Sequence, residues 1–255
     1  MRKVTIWLAV LGIEMLPLYA TAFKIPNVGG PTGYWGIPSG RTSWEEAGNV
    51  ALDAGFHYLS EGQGMAPKVN LTLFNRWELG GMYLGQEGAV DNGYGLHTKF
   101  RFLPWSGRGD SALAIGYRYN ALSENNISLS THQLYLAATY SGNFFGARSD
   151  TSMVFGKSFG DATRDGDIDF GMGFDTELFP SIFQGYVHWI SDFSNFGFHH
   201  YARAANPGRG IFNTGLRLSV LKALSHLSWD IDVLGTDLLD DSRGFGIGTT
   251  LGIRF

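Results

Sequence analysis

The sequence contains no cysteine among its 255 residues. This absence excludes a disulfide-stabilised scaffold and any metal site that uses thiolate ligands. Charged residues are also scarce, at 16%, whereas soluble domains average about 25%. The formal net charge is −4, so the chain lacks the basic excess that is typical of nucleic-acid binding. We therefore expect no nucleic-acid partner.

Long apolar runs are missing as well. The apolar run 4–13 is far shorter than the about 20 residues that a transmembrane helix needs, and no longer run follows it. Arg2 and Lys3 precede this run, and an Ala-Thr-Ala sequence closes it at 20–22. This arrangement is typical of a secretory signal peptide, so we predict that residues 1–22 are removed during export.

Alternation of apolar and polar residues is what the chain has in abundance. Along 94–102, tyrosine, leucine and phenylalanine alternate with His97, Lys99 and Arg101, and along 227–233 the polar positions include Asp230 and Asp232. A period of two predicts strands with one apolar face and one polar face. Segments of about ten residues with a small or polar second face are typical of strands that cross a membrane at a tilt.

Twelve such segments can be counted. We place them at 49–59, 68–75, 77–85, 93–103, 111–120, 131–140, 150–158, 167–176, 183–191, 210–219, 226–235 and 244–255. The predicted fold is an all-β, transmembrane, antiparallel up-and-down barrel over residues 48–255, with ten or fourteen strands as alternatives. With an even number of strands, the first and the last strand both have their free chain ends on the periplasmic side. The connections 104–110 and 141–149 lie on that side and are predicted to be long.

The last strand carries a resemblance to a known class. Its apolar positions are Phe245, Ile247, Leu251, Ile253 and the terminal Phe255. This pattern resembles the C-terminal signature of bacterial outer-membrane β-barrel (porin-like) proteins, although Thr250 stands where that signature has glycine. The resemblance implies an outer-membrane location in contact with lipid. It also implies recognition by the barrel-assembly machinery, with Leu251, Ile253 and Phe255 as the assembly signal.

Residues 23–47 have a different character, because proline and glycine recur too often for regular structure. This segment could enter the lumen as a plug. Its stretch 30–39, Gly-Pro-Thr-Gly-Tyr-Trp-Gly-Ile-Pro-Ser, resembles the opening of some outer-membrane proteins linked to polysaccharide export. We transfer no residue role from that short resemblance.

The inward faces of the predicted strands carry charges of both signs. The predicted lumen-lining basic residues are Arg76, His97, Lys99, Arg101, Arg118 and Arg217. The predicted lumen-lining acidic residues are Asp53, Glu78, Asp169, Asp175, Asp230 and Asp232. Basic residues on one wall and acidic residues on another would create a field across a pore, which orients polar solutes.

These features favour a narrow passive channel for small polar or anionic solutes, with no catalysis and no cofactor. One alternative is a closed structural or interaction barrel, in which the charges form a salt-bridge network and loops such as 192–209 bind a partner. Another is a membrane-embedded hydrolase that would use Ser158 and His132. The acidic residues between Asp161 and Asp169 lack the closing glutamate of a calcium loop, so we predict no metal. No oligomeric state follows from the sequence.

Overall fold

The computed structural model describes residues 24–44, 50–60, 64–85, 90–104, 109–124, 127–161, 168–195, 210–221, 224, 226–239 and 243–255. Among these residues, two short paired strands come first, β1 (Ile25–Pro26) and β2 (Thr32–Gly33). Twelve longer strands follow: β3 (Val50–Leu59), β4 (Gly64–Leu73), β5 (Trp77–Gly85), β6 (Val90–Leu103), β7 (Ser111–Glu124), β8 (Ile127–Phe144), β9 (Ala147–Gly160), β10 (Asp169–Glu177), β11 (Val187–Ser194), β12 (Ile211–Ser219), β13 (Leu227–Thr236) and β14 (Gly244–Arg254). A short helix, α1 (Pro180–Phe183), lies between β10 and β11. No helix in the described part of the chain is long and apolar enough to cross a membrane.

Strands β3 to β14 form a closed antiparallel barrel. Each strand pairs with its neighbours in sequence, and β14 closes the barrel by pairing with β3, where Leu251 lies opposite Ala54. A closed sheet leaves no strand edge with unpaired backbone groups. The predicted all-β antiparallel barrel of twelve strands is confirmed, and the alternatives of ten and fourteen strands are excluded.

One predicted connection is wrong. The sequence suggested a long loop at 141–149, but β8 and β9 continue to a two-residue turn in which Phe145 and Gly146 have φ of 48° and 80°. The polar residues Ser141 and Asp150 suggested a loop, yet they lie opposite each other in the β8–β9 ladder and point inward. A polar lumen thus makes strand residues resemble loop residues.

The two faces of the barrel differ in polarity. In β6, the outward side chain of Leu96 is 57% exposed, whereas the neighbouring inward side chain of Lys99 is fully buried. Large apolar side chains are exposed in the same way on all twelve barrel strands. Proteins that fold in water bury such residues, so the outer surface of this barrel is suited to hydrocarbon.

The barrel has two distinguishable ends. The termini end carries the start of β3, the end of β14 and the turns 74–76 and 145–146. The far end carries the connections between β3 and β4, β5 and β6, and β11 and β12.

Candidate functional site in the barrel lumen

The lumen wall is charged differently on opposite sides. Basic side chains come mainly from β4, β6 and β7, whereas acidic side chains come mainly from β9 to β13. The buried Lys and Arg residues of the barrel strands are Lys68, Lys99, Arg101, Arg118 and Arg217. The buried Asp and Glu residues of the barrel strands are Asp53, Glu78, Asp150, Asp169, Asp175, Asp192, Asp230 and Asp232. The described wall therefore carries five such basic groups and eight acidic groups.

Most of the lumen residues named from the sequence are buried strand residues. These are His97, Lys99, Arg101, Arg118, Arg217, Asp53, Glu78, Asp169, Asp175, Asp230 and Asp232. Arg76 differs, because it lies in the turn 74–76, where its side chain is only partly buried and its backbone amide donates to the Leu73 carbonyl at 3.0 Å. The chain reverses direction at this point, so Arg76 is a turn residue rather than a strand residue of the wall.

Three wall residues that contact the interior segment described next were missed by the sequence reasoning. Lys68 and Asp150 are the first residues of the predicted strands 68–75 and 150–158, and Asp192 lies just beyond the predicted strand 183–191. In the structure all three lie within strands and are buried. The alternation was the signal that could have found them, because each occupies an inward position once its strand is extended.

Residues 24–44, here called the lumen segment, lie inside the barrel and are buried throughout. Its first and last parts contact the wall near the termini end, where Lys24 meets Asp150 and the hydroxyl of Ser43 lies 2.9 Å from that of Thr72. Its middle reaches towards the far end, where Trp35 joins an apolar cluster. The segment therefore forms a loop that enters and leaves at the same end of the barrel.

Carboxylates of the acidic wall hold the lumen segment at two places. Lys24 Nζ lies 2.9 Å from Asp150 Oδ2 and 2.8 Å from Asp175 Oδ2. The pKa of Lys24 is raised, since burial alone would lower it but the attraction of these two carboxylates outweighs burial. Further along, the backbone amides of Trp35 and Gly36 donate to Asp192 Oδ2 at 2.8 and 2.7 Å.

Side chains of the opposite wall bind the backbone of the same segment. The Lys99 ammonium donates to the Thr32 carbonyl at 2.9 Å, and the Thr32 amide donates to Glu78 Oε1 at 2.7 Å. The side-chain amide of Asn70 donates to the Gly30 carbonyl at 2.8 Å. A buried backbone without its own ladder needs such partners, and here the wall supplies them.

Aromatic rings of the segment fit against glycines of the wall. A Cβ at Gly246 would lie 2.1 Å from the Trp35 ring, and one at Gly173 would lie 2.6 Å from the Tyr34 ring. Glycine is needed at both positions because any side chain would occupy the space of the ring. Trp35 belongs to an apolar cluster with Val28, Leu59, Ala66, Met82, Leu84, Ile190 and Leu234.

The wall also contains ion pairs and hydrogen bonds of its own. Arg217 donates from Nε and Nη2 to the two oxygens of Asp232, both at 2.8 Å. Asp169 accepts from Gln133 Nε2 at 2.7 Å and from Ser158 Oγ at 2.6 Å. Buried charges are tolerated when they are paired or hydrogen-bonded in this way. Removal of one partner would leave the other charge uncompensated, which is destabilising.

The two residues of the hydrolase alternative do not meet. His132 is on the outer face, where its Nδ1 lies 2.6 Å from the Tyr117 hydroxyl, whereas the Ser158 hydroxyl points inward to Asp169. They belong to adjacent strands, in which Ser158 pairs with Gln133 and His132 with Phe159. Because neighbouring positions of a strand point to opposite faces, Ser158 and His132 form no nucleophile–base pair.

The described residues contain no group of three or more histidine, aspartate or glutamate side chains that could hold a metal ion. Asp161 and Asp169 lie at the two sides of the acidic stretch considered for calcium. Asp165 and Asp167 fall outside the described residues.

An apolar outer surface, a closed antiparallel ladder and a charged interior define this chain as a transmembrane β-barrel. No family model matches it, and no curated protein matches it. Among solved structures, it is similar to the KdgM porin, with a TM-score of 0.51 and 11% identity over 80% of this chain and 99% of that one. It is also similar to Omp33 of Acinetobacter baumannii (TM-score 0.47, 10% identity, 83% of this chain and 100% of that one) and to the NanC porin (TM-score 0.47, 11% identity, 80% and 98%). At these identities the likeness concerns the fold alone.

Proposed function

We propose that this protein is a narrow passive channel of the outer membrane for small polar solutes, and that the lumen segment occupies its pore. One observation carries the proposal: apart from the apolar cluster around Trp35, the described interior is lined mainly by charged and polar side chains. A barrel that served only as a membrane anchor would have no need of so many buried charges, each of which costs free energy to desolvate.

The way in which the lumen segment is held supports a pore that opens. The segment is bound by ion pairs, by hydrogen bonds from wall side chains and by three apolar clusters, and it is not a strand of the barrel. These contacts can exchange for water or solute without breaking the barrel ladder. The KdgM protein, whose barrel is similar in fold, is a porin, which agrees with this proposal.

Conductance of the refolded protein in planar bilayers tests the proposal. We expect small or infrequent openings from the intact chain and a larger, steadier conductance after deletion of residues 24–44. Gly246→Val loosens the segment without shortening the chain, because the new side chain collides with Trp35, and it should raise the open fraction. Gly81→Val is the matched control, since a Cβ there lies 3.3 Å from the end of the Leu96 side chain and 3.4 Å from the Gly95 carbonyl oxygen and contacts no residue of the segment.

A second candidate is favoured by the complete burial of the lumen segment. A barrel that stays filled is the closed structural or interaction barrel, whose contacts with a partner would be made by its loops. The same bilayer experiment separates the two. If the deletion variant folds as a barrel and still carries no current, the channel proposal is wrong and the closed barrel is favoured.

Export and assembly are part of the proposal. We propose that residues 1–22 direct export, that the termini end faces the periplasm, and that Phe255 with Leu251 and Ile253 is recognised by the assembly machinery. N-terminal sequencing of protein from the outer-membrane fraction should give Phe23 as the first residue. The short resemblance at 30–39 to proteins linked to polysaccharide export falls in the lumen segment, and we derive no export role from it.

A further inference from the structure

The place where Lys24 meets the wall has the features of a binding site. Asp150 and Asp175 are directly opposite each other on β9 and β10, and both side chains are buried. Like charges at opposed positions of neighbouring strands repel each other, so this arrangement requires a cation between them. The Lys24 ammonium supplies it, at 2.9 and 2.8 Å from the two carboxylates.

The remaining contacts fix the orientation of both carboxylates. The Ser141 hydroxyl donates to Asp150 Oδ1, and His188 Nδ1 lies 2.7 Å from Asp175 Oδ1. These partners use the oxygens that do not face Lys24, so the two Oδ2 atoms are left pointing at the ammonium. The same Oδ2 atoms have a second, more distant cation at 3.6 Å, namely Arg41 Nε for Asp150 and Arg217 Nη1 for Asp175.

An aromatic ring completes the surroundings of the ammonium. The centroid of the Tyr34 ring lies 5.9 Å from Lys24 Nζ, within the range of a cation–π contact. The hydroxyl of Tyr34 is held 2.8 Å from that of Ser152 on the wall, so the ring is fixed in place. Two carboxylates and a ring face suit an ammonium group better than Ca²⁺ or Mg²⁺, which are bound by six or more oxygen ligands.

The charges of the described buried residues of the lumen point in the same direction. The lumen segment contains Lys24 and Arg41 and has no acidic residue between them. Among the described residues, the barrel strands have eight buried carboxylates against five buried Lys and Arg side chains, and the segment brings the basic count to seven. Withdrawal of the segment therefore leaves these buried groups with an excess of negative charge, which concentrates cations. The expectation from sequence that anions are preferred depended on the basic residues His97, Lys99, Arg101 and Arg118.

We propose that Asp150 and Asp175 form a binding site for small primary ammonium cations, which Lys24 occupies as an internal ligand. As a statement about transport, this rests on the proposed channel function and narrows its solutes to amine cations. A solute ammonium then takes the place of Lys24 when the segment moves, and it balances the two carboxylates during passage.

Chemical rescue tests the site directly. Lys24→Ala removes the ammonium group and three methylene groups. Propylammonium has the same number of carbon atoms and the same charge, so it fits the cavity that remains. We expect the thermal midpoint of the refolded variant to fall and then to rise saturably with propylammonium chloride, by several degrees. Tetramethylammonium chloride and sodium chloride at equal ionic strength should not restore it, because neither ion donates hydrogen bonds to both carboxylates.

The control variant keeps the cavity left by the lysine side chain and removes the negative charges of Asp150 and Asp175. Lys24→Ala combined with Asp150→Asn and Asp175→Asn should not respond to propylammonium. Equal rescue by sodium chloride, or rescue of this control, would overturn the proposed site. If Lys24→Ala does not refold, Lys24→Gln keeps most of the stem and is measured with ammonium chloride against sodium chloride, because the space that it leaves is too small for propylammonium. Amine rescue does not depend on conductance, so failure here with a conducting deletion variant would reject the site and leave the channel proposal standing.

Discussion

The barrel wall and the lumen segment obtain their order from different sources. Backbone groups of β3 to β14 bond to each other in a ladder that closes on itself. In residues 24–44 the pairing of β1 with β2 covers two residue pairs, and five further backbone hydrogen bonds are internal to the segment. Other backbone groups of the segment bond to side chains of the wall, such as Asp192 and Lys99. The wall therefore obtains its order from its own ladder, whereas the segment needs contacts with the wall in addition to its few internal backbone hydrogen bonds.

This difference has an energetic consequence. Opening the barrel would expose backbone groups of two strands to lipid, where each unsatisfied group costs several kcal/mol. Releasing the segment breaks a limited set of contacts and returns conformational entropy to the chain, at roughly 1–2 kcal/mol for each residue. We therefore expect the segment to open locally while the barrel remains folded.

The largest effect should come from breaking the ladder where the barrel closes. Leu251→Pro removes a backbone donor and introduces a ring in the middle of β14, which pairs with both β13 and β3. We expect no folded barrel after refolding from urea into detergent, as judged by circular dichroism and by the heat-dependent shift on gels. Leu251→Ala keeps the ladder and should refold. A folded proline variant would show that closure by β14 and β3 contributes little.

A smaller effect is expected from the apolar anchor of the segment. Trp35 is 3% exposed inside the lumen, whereas Trp77 on the outer face is 48% exposed. Truncation of a fully buried tryptophan costs about 3–5 kcal/mol, and the cost falls on the segment rather than on the ladder. Since the chain has no cysteine, Ser39→Cys provides a single buried reporter thiol in the segment. Trp35→Ala should speed its labelling by a membrane-impermeant reagent by about 100-fold or more, on the basis of 1.4 kcal/mol for each factor of ten.

Trp77→Ala in the same reporter background is the control and should leave the labelling rate unchanged. The Trp77 ring lies 5.7 Å from the Phe100 ring on the outside of the barrel and has no role in holding the segment. Equal acceleration by both substitutions would mean that the segment and the wall open together. That result would contradict local opening of the segment within a folded barrel.

The polar anchor at Asp192 should have an intermediate effect. Asp192→Ala removes the acceptor of the Trp35 and Gly36 amides, and hydrogen bonds to charged groups contribute roughly 1.5–3 kcal/mol each. Part of this is regained, because the released amides can bond to water. We expect labelling of the Ser39→Cys reporter to accelerate by about 10-fold. Asp161→Ala, at an exposed carboxylate that binds Ser130, should have no effect on that rate.

The wall was predictable from sequence because its signal is local. Alternation with a period of two is imposed on each strand by lipid on one side and by the lumen on the other, so residues such as Leu96 and Lys99 reveal their faces without any long-range information. The same property explains why a loop was wrongly predicted at 141–149, since inward polar residues such as Ser141 look like loop residues when the strand is considered alone.

The contacts of the lumen segment were beyond such reasoning. Lys24 meets Asp150 and Asp175 across more than 120 positions of sequence, and no periodicity relates them. The glycines that receive Trp35 and Tyr34, at positions 246 and 173, look from the sequence like general small residues of an inner wall. Their purpose becomes visible only when the register of the barrel sets them beside those rings.

The smallest effect on the folded molecule is expected at Phe255. The same substitution separates unassisted folding in detergent from assembly in cells. The backbone amide of Phe255 donates to the Val50 carbonyl at 2.9 Å, whereas its side chain is 69% exposed on the outer surface. Phe255→Ala should therefore refold in detergent with an unchanged thermal midpoint, because no buried contact is lost. In cells it should yield less folded barrel in the outer membrane if the terminal aromatic ring is recognised by the assembly machinery. The matched control is Phe245→Ala, which removes an exposed aromatic side chain near the opposite end of the same strand. An equal loss of yield for both variants would show that outward apolar area, rather than a terminal signal, determines the yield.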